Sequence, residues 1–149
     1  LTFVKTSTAR SQIRKAVAKR QQTTIDESKT KEALYNKGLK MFEDYCKENK
    51  EKFDLAFARA VSKLNILLEI IMPLVKVNGY FIALKGKIYQ EEINDSKNAL
   101  KELNSVVEKV KESTLPSEND IRGNVFVKKV GHISNKYPRN YGQIKKRPL

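Results

Sequence analysis

The feature that most constrains the fold is an unbroken apolar run at residues 80–84 (YFIAL). Asn78-Gly79, a pair typical of turns, precedes it, and Gly86 ends it. A run of this length and composition is typical of a strand that is buried on both faces of a sheet. The run therefore predicts a central strand of an α/β protein.

The other elements follow from the period at which apolar residues recur. They are a helix over 27–49, a strand over 53–57, a helix over 64–75 that Pro73 bends or ends, a helix over 88–103, and strands over 106–115 and 124–130 separated by a loop at 116–120. Alternating strands and helices predict a mostly parallel sheet with right-handed crossovers. The last two strands form a hairpin, so the final strand is expected to be antiparallel.

Charge is distributed unevenly along the 149 residues, whose net charge is +13. No acidic residue occurs before Asp26 or after Asp120, and the two flanking segments carry fourteen Lys and Arg residues. Residues 1–23 hold few large apolar side chains, which predicts a basic arm that is either helical or disordered. Two basic ends around a nearly neutral middle indicate a polyanionic partner, although a pair of solvated tails would have the same composition.

Several classes of protein are disfavoured. No apolar run approaches the roughly 20 residues of a membrane span, so no membrane partner is expected. The single cysteine, Cys46, cannot form an internal disulfide, which favours a cytoplasmic location. The GxGxxG, P-loop, CxxC and HExxH patterns are all absent. No metal site is expected, and we interpret the single histidine, His132, as an ordinary surface residue.

Two cations stand where predicted strands end. Arg59 follows the strand at 53–57 and Lys85 follows the apolar run. Open α/β sheets bind ligands beyond the carboxyl ends of their parallel strands. The pair therefore indicates an anionic or electron-rich ligand at one rim of the sheet. An ion pair at Arg59 and an extended surface lysine at Lys85 are the structural alternatives.

The C-terminal segment mixes cations with aromatic residues in the sequence 136–141 (KYPRNY). Cations neutralise phosphates, and tyrosines stack on unpaired bases. The prolines and Gly142 argue against a regular helix here. The segment is predicted to bind RNA as a tail without regular structure, with a solvated tail as the alternative.

Three segments of the sequence resemble the GidB methyltransferases, a bacterial family. They are 52–55 (KFDL) with 58–61 (ARAV), 73–76 (PLVK) with 78–86 (NGYFIALKG), and 127–130 (VKKV) with 136–139 (KYPR) and 145–149 (KKRPL). Their order and spacing are similar to the family's fourth strand, its fifth strand, and its closing strand with a basic tail. The resemblance covers about residues 43–149.

The resemblance implies an S-adenosylmethionine-dependent enzyme that makes 7-methylguanosine in small-subunit ribosomal RNA. It implies part of a class I, Rossmann-like methyltransferase sheet with a reversed last strand. The family's cofactor contacts match Arg59 and Glu43, and its residue at the substrate pocket matches Lys85, to which a catalytic role is assigned. The cations expected to contact RNA are Lys136, Arg139, Lys145, Lys146 and Arg147.

The resemblance also divides the chain into an atypical arm and helix at 1–42, part of a methyltransferase domain at 43–135 and a basic tail at 136–149. The family's glycine-rich cofactor loop has no counterpart in residues 1–42. A truncated gene product, a frame-shifted or fused N-terminus, and completion by another polypeptide would each explain this. We expect weak or no cofactor binding by the chain alone. A basic module that holds RNA without catalysis is the alternative function, and the sequence gives no indication of the oligomeric state.

Overall fold

A computed structural model of the chain describes residues 9–59, 61–114, 116 and 120–149, and the side chains of all of these except 9–14 and 23–26. Residues 1–8 of the predicted arm at 1–23 and most of the predicted loop at 116–120 therefore lie outside the described residues. The chain divides into two compact units, Leu1–Met41 and Phe42–Leu149. The sheet and the segment 136–149 both belong to the second unit.

The N-terminal region is a single helix, α1 (Ala9–Glu48), of 40 residues. The prediction of a helix over 27–49 is therefore correct near its end and wrong at its start. Strong helix formers such as Ala16, Ala18, Lys19 and Arg20 occupy the segment before residue 27. Their helical propensity accounts for the helix before residue 27, where apolar residues do not recur at a helical period. In the part of α1 that precedes the second unit, nearly every described side chain is exposed.

The sheet has four strands in the order β1-β2-β4-β3. They are β1 (Phe53–Arg59), β2 (Val75–Lys85), β3 (Ser105–Thr114) and β4 (Ile121–Lys129). β1 runs parallel to β2, whereas β4 lies antiparallel to both β2 and β3. Three strands therefore share one direction and the last strand is reversed. This confirms the predicted α/β class and the predicted antiparallel last strand.

β2 begins earlier than predicted because Asn78-Gly79 forms a bulge within the strand rather than a turn. Asn78 adopts a left-handed backbone conformation with φ of 67°. Between the pairs Phe53–Val75 and Leu55–Tyr80 the register advances by two residues on β1 and by five on β2. A Cβ atom on Gly79 would lie 2.8 Å from the backbone oxygen of Asp54, so only glycine fits this close approach.

One face of the sheet is covered by helices. α2 (Leu64–Ile71) leads into a short 3-10 helix (Met72–Leu74) with Pro73 in its first turn. After β2 come two short helices, α3 (Tyr89–Asp95) and α4 (Lys97–Glu102), rather than the single predicted helix, since the chain leaves α geometry at Ser96. The core between these helices and the sheet includes Leu64, Leu68, Phe81, Ala83, Ala99, Leu103, Val125 and Val127.

The opposite face of the sheet is open. Leu55 and Phe57 on β1 are 54% and 75% exposed, and their register partners on β2, Tyr80 and Ile82, are only half-buried. The prediction that the apolar run is buried on both faces is therefore wrong. The helices that follow β1 in the second unit pack on the other side of the sheet. None of these helices covers the open face.

The C-terminal segment is ordered and contains a helix, α5 (Tyr141–Lys146). The Asn140 side chain caps it by accepting a hydrogen bond from the Gln143 amide at 2.9 Å. Ile144, within this helix, is buried. The prediction of a tail without a regular helix is wrong, because Pro138 lies before the helix and Gly142 is tolerated within its first turn.

Candidate functional site at the carboxyl edge of the sheet

The carboxyl ends of β1 and β2 meet at one edge of the sheet, as the sequence predicted. Arg59 is the register partner of Leu84, which places it one residue from Lys85. Both residues line a pocket of about 240 Å³ at this edge. The remaining lining residues are Leu84, Gly86, Ser113, Arg122 and Asn124. This pocket, called the edge pocket below, is the candidate site.

Lys85 points to the covered face and is 5% exposed. Its Nζ lies 2.7 Å from Glu92 Oε2 and donates a hydrogen bond to the carbonyl oxygen of Ser62 at 2.5 Å. The same carboxylate oxygen accepts a hydrogen bond from the amide of Leu64 at 2.7 Å, at the first turn of α2. A negative charge is favourable there because it faces the unpaired amides of the helix N-terminus. Lys85 and Glu92 together fasten the loop after β1 to the end of β2.

Arg59 is exposed and its position on β1 alternates with the buried-face residues Ala56 and Ala58, so it belongs to the open face. Among the ion pairs of the described part of the chain, none involves Arg59. Arg122 pairs with Asp120 through one contact, Nη2 to Oδ2 at 3.0 Å. Arg122 is one of the cations of the basic C-terminal segment, and nothing in the sequence placed it near Arg59, because its position depends on how β4 inserts beside β2.

Glu43 lies in the last turns of α1 and lines a different pocket, together with Lys47 and residues 138–141. Its Oε1 accepts a hydrogen bond from the Tyr141 amide at 3.3 Å. None of the residues that line this pocket also lines the edge pocket. The structure thus separates Glu43 from Arg59, and the cofactor role of Glu43 stays a prediction.

Two of the predicted RNA-binding cations are engaged in ion pairs. Arg139 forms a bidentate pair with the fully buried Glu69, with Nε–Oε1 and Nη2–Oε2 both at 2.6 Å. This hydrogen bonding raises the pKa of Arg139 above its ordinary value. Lys136 lies 3.3 Å from Glu102, whose pKa is lowered by hydrogen bonds from Tyr137 and Lys136. With Nε and Nη2 engaged, only Nη1 of Arg139 could contact RNA without disturbing the pair with Glu69.

The other three predicted RNA-binding cations are exposed. Lys145 and Lys146 lie in the last turn of α5, and Arg147 follows it. None of them belongs to an ion pair found within the residues that the structure describes. Their charges are therefore turned to solvent, where a polyanion could reach them.

A second buried lysine lies at the opposite edge of the sheet, where the sequence predicted nothing. Lys129, at the end of β4, is fully buried and its Nζ donates to the carbonyl oxygen of Val75 at 2.7 Å. It also lies 2.9 Å from Glu51, and the same carboxylate contacts Nδ1 of His132 at 2.9 Å. The side chain of His132 is 82% exposed, in agreement with its interpretation as a surface residue.

Comparison with known proteins identifies the family. The model of the GidB family, rRNA small subunit methyltransferase G, matches residues 16–121, which is more than half of the chain. The chain belongs to this family. The match begins inside α1, so it includes residues that the sequence analysis set apart from the family, and it ends at the start of β4.

Individual members of the GidB family agree with this. A ribosomal RNA small subunit methyltransferase G of Thermoanaerobacter pseudethanolicus is 50% identical over 109 residues, which are 72% of this chain and 45% of that protein. One from Lactobacillus johnsonii is 40% identical over 126 residues, 85% of this chain and 48% of that protein. The chain spans about half the length of these curated relatives.

Among solved structures, the M1.HpyAVI–SAM complex is similar with a TM-score of 0.46 and 21% identity, over 68% of this chain and 57% of that chain. A likeness at this level bears on neither the cofactor nor the substrate.

Two further kinds of site were sought in the residues that the structure describes. These residues contain no group of three or more His, Cys, Asp or Glu side chains placed to hold a metal ion. None of their helices combines the length and the apolarity that crossing a membrane requires. Cys46 is fully buried, and burial raises the pKa of its thiol. The edge pocket and the exposed cations of α5 therefore remain the features that bear on function.

Proposed function

We propose that the chain contributes to an S-adenosylmethionine-dependent methyltransferase that forms 7-methylguanosine in small-subunit ribosomal RNA, in the cytoplasm of a bacterium. The proposal rests on the location of one residue in a chain of the GidB family. Arg59, which is similar to the family's cofactor-contacting arginine, lies exposed at the carboxyl edge of the parallel pair β1–β2. Ligands of open α/β sheets bind at this edge.

The edge pocket suits one part of the cofactor. Arg59, Ser113 and Asn124 offer hydrogen-bond donors to carboxylate or hydroxyl groups, and Gly86 allows a ligand to approach the backbone. When bound, S-adenosylmethionine would supply the methyl group. The sequence has no glycine-rich loop to hold the rest of the cofactor. The residues present therefore support a partial cofactor site.

The task of the protein residues in this reaction is placement. The guanine ring nitrogen already carries a lone pair, so methyl transfer to it needs little acid–base assistance. Orientation and electrostatic stabilisation supply most of the rate in such a reaction. Arg59 would hold the cofactor, and the Lys85–Glu92 pair would keep the loop after β1 against the end of β2.

The ribosomal RNA would be held by the exposed end of α5. Lys145, Lys146 and Arg147 present three positive charges to solvent, and Lys136, which pairs with Glu102, adds a fourth. Each phosphate that a cation neutralises steepens the dependence of RNA affinity on salt by about one logarithmic unit. Arg139 would contribute by anchoring the segment to α2 through Glu69 rather than by contacting RNA.

A methylation assay tests the catalytic part of the proposal. Small-subunit ribosomal RNA is incubated with the full chain and isotopically labelled S-adenosylmethionine at millimolar concentration, to offset weak binding. We expect slow labelling of guanine that Arg59→Ala abolishes and that Lys97→Ala, an exposed control on α4, leaves unchanged. RNA binding with no labelling at any cofactor concentration would instead establish a non-catalytic RNA-binding module.

Calorimetry tests the expectation about the cofactor loop. Titration of the chain alone with S-adenosylmethionine should show no binding in the micromolar range, because the glycine-rich loop is absent. A dissociation constant in that range would contradict this expectation.

The tail proposal has its own test. Replacing Lys145 and Lys146 by alanine should lower RNA affinity and reduce the salt slope by about one unit for each lysine. Replacing Lys97 and Lys101 on α4 is the matched control and should leave the slope nearly unchanged. An unchanged affinity and slope in the α5 variant would refute a contact between this helix and RNA.

A further inference from the structure

We propose that the outer edge of β1 pairs with β1 of a second copy of the chain, so that two four-stranded sheets join into one continuous sheet. The inference goes beyond the proposed function, which requires no second copy. It assigns a partner to an outer strand and to a row of exposed apolar side chains that the proposed function leaves unused.

The outer edge of β1 lacks the features that usually prevent strand pairing. Within the described residues, β1 pairs only with β2, so the backbone N–H and C=O groups on its other side have no strand partner. Proteins commonly protect such an edge with lysine or proline. The sequence of β1, FDLAFAR, contains neither. This edge is therefore open to another strand.

The other outer strand of the sheet is protected. β3 has the sequence SVVEKVKEST, in which four of ten residues are charged. Charged side chains along an outer strand oppose its pairing with another chain. Each copy thus offers one edge that can pair. An interface that uses the same edge on both copies is closed, so association by this route stops at two chains.

The side chains of β1 on the open face are large, apolar and exposed. Phe53, Leu55 and Phe57 are 37%, 54% and 75% exposed, and they alternate with residues on the covered face. Their neighbours on β2, Tyr80 and Ile82, continue this apolar surface across the sheet. Contiguous exposed apolar side chains of this kind mark a surface that is covered by another molecule.

The strand is self-complementary when it is rotated about a two-fold axis. An antiparallel arrangement centred on Ala56 pairs all seven residues of β1, whereas a shift of two residues in either direction pairs only five. In this register Leu55 lies opposite Phe57 of the second copy, and symmetry repeats the contact. Aromatic and aliphatic side chains at opposed positions stabilise a strand pair. A second copy therefore supplies a matching apolar row.

The charges of β1 are compatible with the same register. Arg59 would lie opposite Phe53 of the second copy, where a guanidinium can stack on an aromatic ring. Asp54 would lie opposite Ala58 of the second copy and keep its ion pair with Lys76, in which Oδ1 and Nζ are 2.9 Å apart. No two like charges of the paired strands face each other. This complementarity favours a second copy over an unrelated strand.

The size of the interface sets the expected affinity. Stable protein interfaces bury about 1,200–2,000 Å², which is more than two strands of seven residues provide. We therefore expect a reversible dimer with a dissociation constant on the order of tens of micromolar.

Sedimentation equilibrium of the full chain tests the pairing, over a series of concentrations that extends to hundreds of micromolar. We expect one monomer–dimer equilibrium. Phe57→Lys should raise its dissociation constant at least about tenfold, because both copies lose an apolar contact and gain a charge opposite Leu55. Val106→Lys is the matched control, since it adds the same charge to β3 at a position that is 44% exposed. It should leave the dissociation constant nearly unchanged, and circular dichroism establishes that each variant is folded.

Disulfide cross-linking tests the register. A Leu55→Cys chain and a Phe57→Cys chain are oxidised separately and as an equal mixture. Opposed residues have Cα atoms about 4.5–5.5 Å apart, within reach of a disulfide, whereas identical positions would be diagonal neighbours about 7–8 Å apart. The mixture should therefore form covalent dimers several times faster than either chain alone. Cys46 is buried and present in all three samples, so it provides the common background.

Three results would overturn the inference. The first is a chain that stays monomeric at every concentration, and the second is assembly beyond the dimer. The third is a dissociation constant that changes equally in Phe57→Lys and Val106→Lys. Equal rates of cross-linking in the mixture and in the separate chains would show that the copies associate without this register, and would reject the pairing of β1 with β1.

Discussion

The two edges of the sheet each contain a buried lysine held in the same way. At the carboxyl edge, Lys85 contacts Glu92 and the carbonyl of Ser62. At the opposite edge, Lys129 contacts Glu51 and the carbonyl of Val75. In both cases one ammonium fastens a strand end to a neighbouring loop through a carboxylate and a backbone oxygen. A buried and paired lysine therefore fastens the strand end at two places in the described sheet, the end of β2 and the end of β4.

The edges differ in what surrounds the lysine. Glu51 at the opposite edge is shared with His132, whereas the edge pocket adds Arg59, which has no ion pair within the described residues, and Arg122, which pairs with Asp120. The capacity for a ligand therefore lies in the exposed guanidinium groups and not in the buried ammonium. For Lys85, contact with the substrate stays a prediction, and its geometry supports the positioning of the loop after β1.

The largest effect on stability is expected at a buried carboxylate that is paired with a cation, the reverse of the buried lysines at the two edges. Glu69 is a fully buried carboxylate whose partner, Arg139, is replaceable. Arg139→Ala should lower the free energy of unfolding by about 3–5 kcal/mol, because it leaves a buried charge uncompensated. Urea denaturation measures this, with the exposed Arg147→Ala as the matched control. Equal stabilities of the two variants would show that Glu69 does not depend on its partner.

Removing the acid at the carboxyl edge should have the next largest effect. Glu92→Gln keeps an acceptor for the Leu64 amide but leaves the ammonium of Lys85 without a counter-charge. We expect a loss on the order of 3 kcal/mol in urea denaturation. Glu91→Gln, at an exposed neighbouring position, should cost much less. If the two variants are equally stable, the comparison between the two buried lysines fails at this edge.

The opposite edge should respond less and in a way that depends on pH. Hydrogen bonds from Lys129 and His132 lower the pKa of Glu51 below its ordinary value of 4.5. A lowered folded-state pKa contributes stability above the unfolded value, and this contribution is lost as pH falls below 4.5 through the folded pKa. Glu51→Gln should cost about 2 kcal/mol near pH 6 and progressively less towards pH 3.

This difference is measured by urea unfolding of both proteins at each pH. A cost for Glu51→Gln that does not change between pH 6 and pH 3 would contradict the assigned linkage and leave only a loss of packing.

The smallest effect on stability is expected at the candidate site itself. Arg59 is exposed and forms no ion pair within the described part of the chain, so Arg59→Ala should change the free energy of unfolding by no more than about 0.5 kcal/mol. Thermal denaturation beside the methylation assay separates the two roles. A large loss of stability would show that Arg59 supports the fold as the buried lysines do, and would contradict its separate role in ligand binding.

Much of the sheet could be predicted because the sequence of strands and helices along the chain, and the direction of the strands, follow from local patterns. The apolar run at 80–84 and the alternation at 53–57 marked the parallel pair, and the hairpin predicted for the last two strands marked the reversed one. Arg59 and Lys85 were placed on one edge by the same reasoning, because parallel strands end together. The opposite directions of their side chains follow from their register, Arg59 with Leu84, which sequence spacing alone does not fix.

The missed features depend on contacts between distant segments. Glu69 and Arg139 are 70 residues apart, and Lys129 meets Glu51 across 78 positions. Asn78-Gly79 suggested a turn. In the structure the pair forms a bulge instead, because the backbone oxygen of Asp54 packs closely against Gly79. The ordered α5 depended on the Asn140 cap and on a buried side for Ile144, which the prolines obscured.

The two outer strands of the sheet lead to a consequence for solubility. β3 carries alternating charges such as Lys109, Lys111 and Glu112, which discourage pairing with another chain. The outer strand β1 instead presents Leu55 and Phe57, and strands of this kind invite edge-to-edge association. Mutual repulsion at a net charge of +13 opposes that association in dilute buffer. Added salt screens the repulsion, so aggregation of the isolated chain should increase with ionic strength.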